Sequence, residues 1–194
     1  DGITKRGGDH GSFRKAEGLA LAETPESRDV VVIGGGPAGL AAALGARRAG
    51  AGSVLVVERE PRLGGILNQC IHDGFGLFFY KETISGPEYA ERLAEDVGRE
   101  RIEVETGTMV LDLSADRVLR MNSRAGYRRV KAGAVVLAMG CRERTRDMIG
   151  IPGTRPAGVL TAGSAQHMVN LQNLRVGNEA VILGSGDVGL IMAR

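Results

Sequence analysis

Residues 29–39 read DVVVIGGGPAG, and this stretch decides the fold class. Its first half is a β-branched run, which is typical of a strand buried in a parallel sheet. Its second half carries the pattern Gly34-x-Gly36-x-x-Gly39 and leads into an Ala- and Leu-rich segment with the composition of a helix. Residues 53–57 (SVLVV) form the next apolar run. The order of strand, glycine turn, helix and strand predicts a βαβ unit.

Each glycine of this pattern has a physical role in a dinucleotide-binding turn. Gly34 permits the tight turn, Gly36 lets a pyrophosphate approach the backbone, and Gly39 lets the helix pack closely on the strand. The helix N-terminus offers free N–H groups and the positive end of its dipole to the phosphates. Glu58 ends the second strand, 24 residues after Gly34, where a carboxylate can accept the hydroxyl hydrogens of a ribose. This complete context favours nucleotide binding over a purely structural turn with a surface glutamate.

A second glycine pattern, Gly184-x-Gly186-x-x-Gly189, follows the apolar residues 180–183, for which we predict a strand. It begins 150 residues after the first pattern, a separation of about one domain. Two such folds in one chain imply two nucleotide ligands that face one another. The acidic residue that would distinguish NAD from NADP is expected beyond Arg194.

Between the two patterns the sequence predicts further helices and strands. Ser85 and Glu88 resemble a capping box, and Tyr89, Leu93 and Val97 form an apolar stripe, which together indicate a helix. Strands are expected at residues 102–105, 109–113, 117–121, 127–131 and 134–138, the middle three as a small antiparallel meander, and a short helix is expected at residues 164–171.

Composition excludes several classes of protein. The chain has 194 residues with 25 basic and 23 acidic side chains, and this balance disfavours a nucleic-acid-binding protein. Two cysteines among these residues exclude a disulfide scaffold and favour a reducing, cytoplasmic location. The uncharged stretch 30–46 is interrupted by glycines and a proline, so we expect no membrane span. No pattern of metal-ligand spacing is present.

The quoted segments resemble a known family. Residues 29–39, the strand ending in Glu58, the Gly64-Gly65 pair and residues 138–140 (AMG) are similar to the two-dinucleotide-binding-domain flavoproteins, which include the pyridine nucleotide–disulfide oxidoreductases. Those proteins bind FAD at the first motif and NAD(P)H at the second. The stretches GGILNQCIHDGFG, GCRER, IPGTRPAGVLTAG and GSGDVGLIMAR are similar to a subgroup that accompanies glycerol-3-phosphate or amine dehydrogenase-type flavoproteins. This similarity implies that the partners could include a second dehydrogenase subunit.

The resemblance also implies where the cofactors bind. The FAD contacts that it implies are Gly34, Gly35, Gly36, Pro37, Ala38, Gly39, Glu58, Arg59, Gly64, Gly65, Val110, Ala138, Met139 and Gly140. Gly64 and Gly65 would lie along the phosphates and ribityl chain, and Val110 near the adenine. The NAD(P)H contacts that it implies are Gly184, Gly186 and Gly189.

The predicted fold is α/β: a Rossmann-like FAD-binding domain of three layers, built on a parallel sheet with a small antiparallel meander, followed by the start of a second Rossmann-like domain. We expect a disordered leader over residues 1–28, the FAD-binding domain over 29–160, and a linker with the truncated start of an NAD(P)-binding domain over 161–194. The chain therefore resembles an N-terminal fragment, for which we expect weak retention of FAD and no turnover of NAD(P)H.

The predicted function is that of an FAD-dependent oxidoreductase. A hydride would pass between NAD(P)H and FAD, and electrons would then pass to a small-molecule or protein acceptor. The flavin carries the chemistry, so we name no catalytic acid or base. Three alternatives remain open: a thioredoxin-reductase-like enzyme with its cysteine pair beyond the chain end, a dehydrogenase that uses NAD alone, and a non-catalytic nucleotide-binding fragment.

The cysteines do not form the redox pair of the disulfide reductases. By the resemblance, that pair follows the double glycine, and Leu67 and His72 stand at the two matching positions. Cys70 beside His72 suggests a thiolate–imidazole pair, but a loop packed near the flavin is the favoured interpretation. Cys141 is expected to be structural, and His167 to lie on the surface of a short helix.

Overall fold

The computed structural model describes residues 24–194. The strands are β1 (Glu26–Ile33), β2 (Val54–Val57), β3 (Asp73–Phe75), β4 (Ile84–Ser85), β5 (Glu103–Glu105), β6 (Met109–Leu113), β7 (Val118–Ser123) and β8 (Gly126–Leu137). The helices are α1 (Pro37–Arg48), α2 (Gly86–Arg99), α3 (Ala162–Gln172) and α4 (Asp187–Ala193), with a 3₁₀ turn over Gly65–Gln69. The predicted leader lies mostly outside the described residues, and its predicted end at residue 28 is wrong because β1 begins at Glu26.

Six strands form one sheet in the order β5-β2-β1-β8-β7-β6. Strand β1 pairs in parallel with both β2 and β8, and β2 pairs in parallel with β5. The chain therefore runs outward from β1 to β5 and returns to the other side of β1 as β8. In open α/β sheets, ligands bind at the carboxyl ends of the strands where the strand order reverses. Here that point lies between the ends of β1 and β8.

Strand β8 differs from the prediction. The sequence pattern suggested a meander strand over residues 127–131 and a separate parallel strand over 134–138, but one 12-residue strand spans both. Gly133 makes the continuity possible, because a β carbon there would lie 2.7 Å from the carbonyl oxygen of Asp29 on β1. The same strand pairs antiparallel with β7 through its first half and parallel with β1 through most of its length.

Apolar side chains on the two faces of the parallel strands form two separate cores. One face is covered by α1 and α2, and its buried residues include Val32, Leu40, Val54, Val56, Leu93 and Val97. The other face is covered by the meander, and its buried residues include Val31, Leu55, Leu119, Met121 and Val130. Helices, parallel strands and meander thus form three layers, which confirms the predicted fold class.

Helix α2 begins as the sequence predicts. The Ser85 hydroxyl accepts a hydrogen bond from the Glu88 backbone N–H at 3.4 Å, so Ser85 caps the helix. Leu93 and Val97 are buried in the helix-side core, and the half-buried Tyr89 packs against that core, so the predicted apolar stripe is confirmed. No helix among residues 24–194 is both long and apolar enough to cross a membrane.

The strand predicted at residues 180–183 is not formed. Residues 173–186 contain neither helix nor strand, and the chain enters α4 directly from this extended segment. Val181 is 99% exposed and Leu183 is also largely exposed, so the apolar side chains that suggested a buried strand contact little of the rest of the molecule.

This difference predicts a contrast in amide hydrogen exchange. Backbone N–H groups of residues 178–185 lie outside any helix or strand, so they should exchange roughly a hundredfold or more faster than those of Val31 and Val32 in the sheet centre. Native-state exchange followed by NMR measures both sets in one sample. Slow exchange at Ile182 would show that the segment pairs as a strand in solution.

Candidate dinucleotide-binding site

The turn after β1 depends on the absence of side chains at two positions. Gly34 has φ +110°, and a β carbon there would overlap the carbonyl oxygen of Ala138 at the end of β8. A β carbon at Gly39 would overlap the carbonyl oxygen of Gly34. The backbone N–H of Gly34 donates to Val57 at 2.8 Å, which joins the ends of β1 and β2. The predicted roles of Gly34 and Gly39 in tight turning and close packing agree with this geometry.

Gly36 differs from these two glycines because space is open beside it. It is the N-terminal cap of α1 with φ −76°, a conformation that any residue adopts. The nearest atom to a β carbon placed there is the Cα of Gly65, 4.0 Å away. The first N–H groups of a helix lack partners within the helix and carry its positive dipole end. The open space at Gly36 therefore fits a phosphate group.

The double glycine lies against this turn. The Gly64 N–H donates to the carbonyl of Gly35 at 2.8 Å, and a β carbon at Gly65 would lie 3.1 Å from the Cα of Gly36. Both residues have positive φ, +109° at Gly64 and +54° at Gly65. The structure thus brings the Gly64-Gly65 pair into direct contact with the glycine turn that follows β1.

Glu58 is buried next to the same turn, with 6% of its surface exposed. Its Oε2 accepts a hydrogen bond from the Gly35 N–H at 2.6 Å, and its Oε1 accepts one from the Glu60 N–H at 2.8 Å. Each carboxylate oxygen has two lone pairs, so capacity remains for further donors such as ribose hydroxyls. The sequence predicted a ribose contact and missed this second role, which is to fix the backbone of Gly35.

A segment that the sequence did not single out supports Glu58. The Glu58 N–H donates to Glu105 at 2.8 Å, the Thr108 N–H donates to Glu58 at 2.9 Å, and the Gly107 N–H donates to Glu60 at 2.9 Å. Residues 105–108 follow the carboxyl end of β5, the edge at which parallel strands place their ligands. Their position at the carboxyl end of a predicted parallel strand is the feature of the sequence by which these residues could have been found.

The remaining predicted FAD contacts lie on β6, just after β2, after the end of β8 and at the start of α1. Val110 is half-buried in β6 opposite Met121, two residues after the Thr108 contact with Glu58. Arg59 is exposed and pairs with Glu60 at 3.4 Å. Ala138 donates its N–H to Ile33 at 2.8 Å, whereas Met139 is largely exposed and Gly140 has φ +76°. Pro37 and Ala38 begin α1.

The second glycine pattern repeats the local geometry of the first. Gly186 caps α4 with φ −79° and ψ 178°, close to the −76° and −179° of Gly36. A β carbon at Gly189 would overlap the carbonyl oxygen of Gly184, as one at Gly39 would overlap that of Gly34. The two patterns are therefore the same turn, although the second follows an extended segment in place of a paired strand.

Cys70 is half-buried, and burial raises the pKa of its thiol above the ordinary value. Its sulfur lies 3.9 Å from Gln166 Oε1, while His72 Nδ1 lies 2.9 Å from the carbonyl oxygen of Asp73, so neither contact joins the two side chains. A raised pKa favours the neutral thiol and opposes the thiolate–imidazole hypothesis.

Cys141, expected to be structural, is exposed, and His167 is exposed as predicted.

Helix α3 is attached to this part of the molecule by polar contacts that the sequence did not reveal. The buried Gln69 side chain donates from Nε2 to the Gly163 carbonyl at 3.0 Å and to Gln166 Oε1 at 3.1 Å. Asn170 Nδ2 donates in turn to the Gln69 carbonyl at 2.7 Å. Glu143 accepts from the Gly163 N–H at 2.7 Å and from the Thr161 hydroxyl at 2.6 Å, at the N-terminus of α3.

Among the described residues, no group of three or more His, Cys, Asp or Glu side chains could hold a metal ion. The chemistry of this site therefore rests on backbone N–H groups, one buried carboxylate and the glycine turns. These donors and acceptors suit a ligand that carries both phosphates and a ribose.

Known proteins are similar to this chain in sequence and fold. The family model of pyridine nucleotide-disulphide oxidoreductases matches residues 28–194. An opine oxidase subunit of Agrobacterium tumefaciens (strain Ach5) is 31% identical over 175 residues, which are 85% of this chain and 33% of that protein. Thioredoxin reductase of Bacillus subtilis (strain 168) is 32% identical over 161 residues, 82% of this chain and 47% of that protein.

Among solved structures, L-proline dehydrogenase from P. horikoshii superposes with a TM-score of 0.62 at 21% identity, over 80% of this chain and 31% of that one, and thus shares the fold. The chain spans between a third and a half of the length of the curated relatives named above. Proteins of the matched family use FAD and NAD(P)H. The chain belongs to the pyridine nucleotide–disulphide oxidoreductase family of FAD- and NAD(P)H-dependent oxidoreductases.

Proposed function

We propose that this chain provides the FAD-binding part of an oxidoreductase in which a hydride passes between NAD(P)H and FAD. Electrons would then pass to a small-molecule or protein acceptor. The observation that carries this proposal is the open cradle at Gly36, with the Glu58 carboxylate anchored to the adjacent Gly35 N–H. Bound FAD supplies the redox chemistry, and the protein binds and orients it.

The residues of the site divide the binding of FAD among them. The first N–H groups of α1 and its dipole hold the pyrophosphate beside Gly36. The remaining lone pairs of Glu58 accept the hydroxyl hydrogens of the adenosine ribose. Gly64 and Gly65 leave room for the phosphates and the ribityl chain, and Val110 lies on the adenine side. Ala138, Met139 and Gly140 form the wall at the end of β8.

We further propose that the second glycine turn binds the nicotinamide nucleotide. Its support is the repetition of the first turn, including the Leu190 N–H bond to the Gly186 carbonyl at 3.1 Å, which matches the Leu40 bond to Gly36 at 2.9 Å.

The opine oxidase relative belongs to a multi-subunit oxidase. This likeness supports an electron acceptor on a partner protein, and we propose a cytoplasmic location for the chain.

A thioredoxin-reductase-like function is the second candidate, favoured by the 32% identity to the Bacillus subtilis enzyme. Its redox cysteine pair would have to lie beyond the chain end, because Leu67 and His72 stand at the positions that match the family's pair and the two cysteines of the sequence, Cys70 and Cys141, are 71 residues apart. Reduction of a protein disulfide by NADPH in the presence of the intact protein would distinguish this candidate. A non-catalytic nucleotide-binding protein would bind FAD and show no reduction of it by NAD(P)H.

The cradle at Gly36 provides a direct test of FAD binding. Gly36→Ala adds a β carbon whose nearest protein atom, the Cα of Gly65, is 4.0 Å away, and it should weaken FAD binding at least about tenfold because the β carbon occupies the open space. Titration of FAD fluorescence measures the affinity, and thermal unfolding measures stability. Gly45→Ala is the control, because it adds the same methyl group within α1, where a β carbon meets no described atom within 4 Å. Equal FAD affinity in both variants would contradict the assignment of the cradle.

The ribose assignment is tested at Glu58. Glu58→Gln removes the charge and keeps one acceptor oxygen for the Gly35 N–H, while its NH2 group no longer accepts the Glu60 N–H. The free energy of FAD binding should weaken by about 1.5–3 kcal/mol, the cost of losing charge-assisted hydrogen bonds. Glu58→Ala is less suitable, because it would also leave two backbone N–H groups without their acceptor. Glu60→Gln, at an exposed neighbouring carboxylate, is the control and should bind FAD normally. An unchanged affinity in Glu58→Gln would remove the ribose role.

The two cysteines should differ in their reactivity. Burial raises the pKa of the Cys70 thiol, so at any given pH near neutrality it carries less of the reactive thiolate than an unburied thiol. Iodoacetamide at pH 7.5 should therefore alkylate the exposed Cys141 several-fold faster than Cys70, as peptide mass spectrometry can measure. Cys70→Ser is the control variant for Cys70: it lacks the half-buried thiol and should bind FAD as the unchanged chain does. Faster modification of Cys70 would revive the thiolate–imidazole hypothesis.

A further inference from the structure

An ion pair connects two strands that are not neighbours in the sheet. Arg128, in the meander half of β8, places Nη1 2.7 Å from Oε1 of Glu105, the last residue of β5. In the sheet order, β2 and β1 stand between β5 and β8. The contact therefore crosses from the meander layer to the edge strand. The two side chains are mostly buried, with 32% of Arg128 and 20% of Glu105 exposed.

Glu105 is also joined to the ribose-side carboxylate through the backbone. Its carbonyl accepts the Glu58 N–H, and the residues that follow it bond to Glu58 and Glu60 through the N–H groups of Thr108 and Gly107. The position of residues 105–108 therefore sets the position of the Glu58 backbone. The Glu58 carboxylate in turn reaches Gly35 only if that backbone is correctly placed.

We propose that Arg128 and Glu105 are positioning residues for the adenosine-ribose site, which hold residues 105–108 so that the Glu58 carboxylate stays against Gly35. The proposal rests on the function proposed above for Glu58. It extends that function to a side chain on β8 that is distant from Glu58 in the sequence and was not suggested by any motif.

The hydrogen bonding of Arg128 argues against a purely stabilising role. Its Nε and Nη2 are buried with no hydrogen-bond partner among the described residues, although Nη2 lies 3.5 Å from Glu26 Oε2. Largely desolvated ion pairs with unsatisfied donors contribute little net stability. Burial is the largest influence on Glu105 and raises the pKa of its carboxyl, while Arg128 opposes that rise. Arg128 thus opposes the loss of charge that burial favours at Glu105.

The chain offers a matched control on the same strand. Arg28 on β1 pairs with Glu103 at 2.8 Å, two residues before Glu105, and this ion pair also joins β5 to another strand of the sheet. Glu103 pairs with Leu55 at the start of the β2–β5 ladder, and its backbone does not bond to residues 58–60. Glu26 contacts both Arg28 and Arg128, so the two ion pairs belong to one charged cluster. Glu103→Gln removes an ion pair from β5 and from this cluster, while the Arg128–Glu105 contact and the backbone bonds of residues 105–108 to Glu58 and Glu60 remain.

The experiment compares Glu105→Gln, Arg128→Met and Glu103→Gln in the full chain. Amide hydrogen exchange at Gly35 and Glu60 reports whether the Glu58 carboxylate still accepts their hydrogen bonds. We expect exchange at both amides to rise about fivefold in Glu105→Gln and Arg128→Met, with no comparable change in Glu103→Gln. The double variant should change no more than either single one, because the two side chains act as one pair.

Flavin binding provides the second readout, since FMN lacks the adenosine ribose. The Kd for FAD should rise about fivefold in Glu105→Gln and Arg128→Met, whereas the Kd for FMN should not change. Arg128→Lys, which keeps the charge, should recover part of the FAD affinity. A general loss of stability would instead weaken both flavins together and lower the unfolding temperature.

Three results separate the possible failures. If both variants match Glu103→Gln in amide exchange, the positioning role is wrong. If FAD and FMN weaken equally, the pair is only a structural contact and the inference is likewise overturned. If the wild-type chain has no greater affinity for FAD than for FMN, the ribose function proposed for Glu58 fails, and exchange at Gly35 alone decides whether the pair holds the carboxylate.

Discussion

The close approach of α1 to the end of β1 is the constraint on which the site depends. It requires that Gly34 and Gly39 have no side chains, because the backbone of Gly34 lies against both Ala138 and Gly39. This contact aims the N-terminus of α1 at the point where β1 and β8 diverge. The bond from the Gly35 N–H to Glu58 then ties that N-terminus to the end of β2. The open space at Gly36 and the buried Glu58 carboxylate, to which we assign the phosphate and the ribose, are thus built from one turn and its two neighbouring strand ends.

Local patterns were sufficient to predict most of this centre. The glycine spacing, the β-branched run before it and the acidic residue after the second strand all lie within about thirty residues of sequence, so a local pattern is enough to recognise them. The Ser85 cap is predictable for the same reason. The core positions on β1 and β2 follow because a parallel strand buried on both faces is apolar throughout.

The errors lie where distant segments decide the outcome. The sequence predicted two strands, over residues 127–131 and 134–138, but the close contact of Gly133 with Asp29 keeps β8 continuous. Residues 180–183 have the composition of a buried strand, yet a strand forms only where a neighbour supplies hydrogen bonds, and local composition does not reveal that neighbour. The Arg128–Glu105 pair and the contacts of Gln69 with α3 join residues far apart in sequence, so no local pattern announces them.

The three glycines of the first motif also differ in how a cell would treat their loss. At Gly34 and Gly39 a side chain collides with the protein's own backbone, so such variants enter the unfolded population that chaperones and proteases remove. At Gly36 the folded chain has room for a β carbon, so under the proposed function only the ligand requires the glycine. An alanine variant at that position would then escape folding surveillance and accumulate at normal abundance as a stable protein without its cofactor.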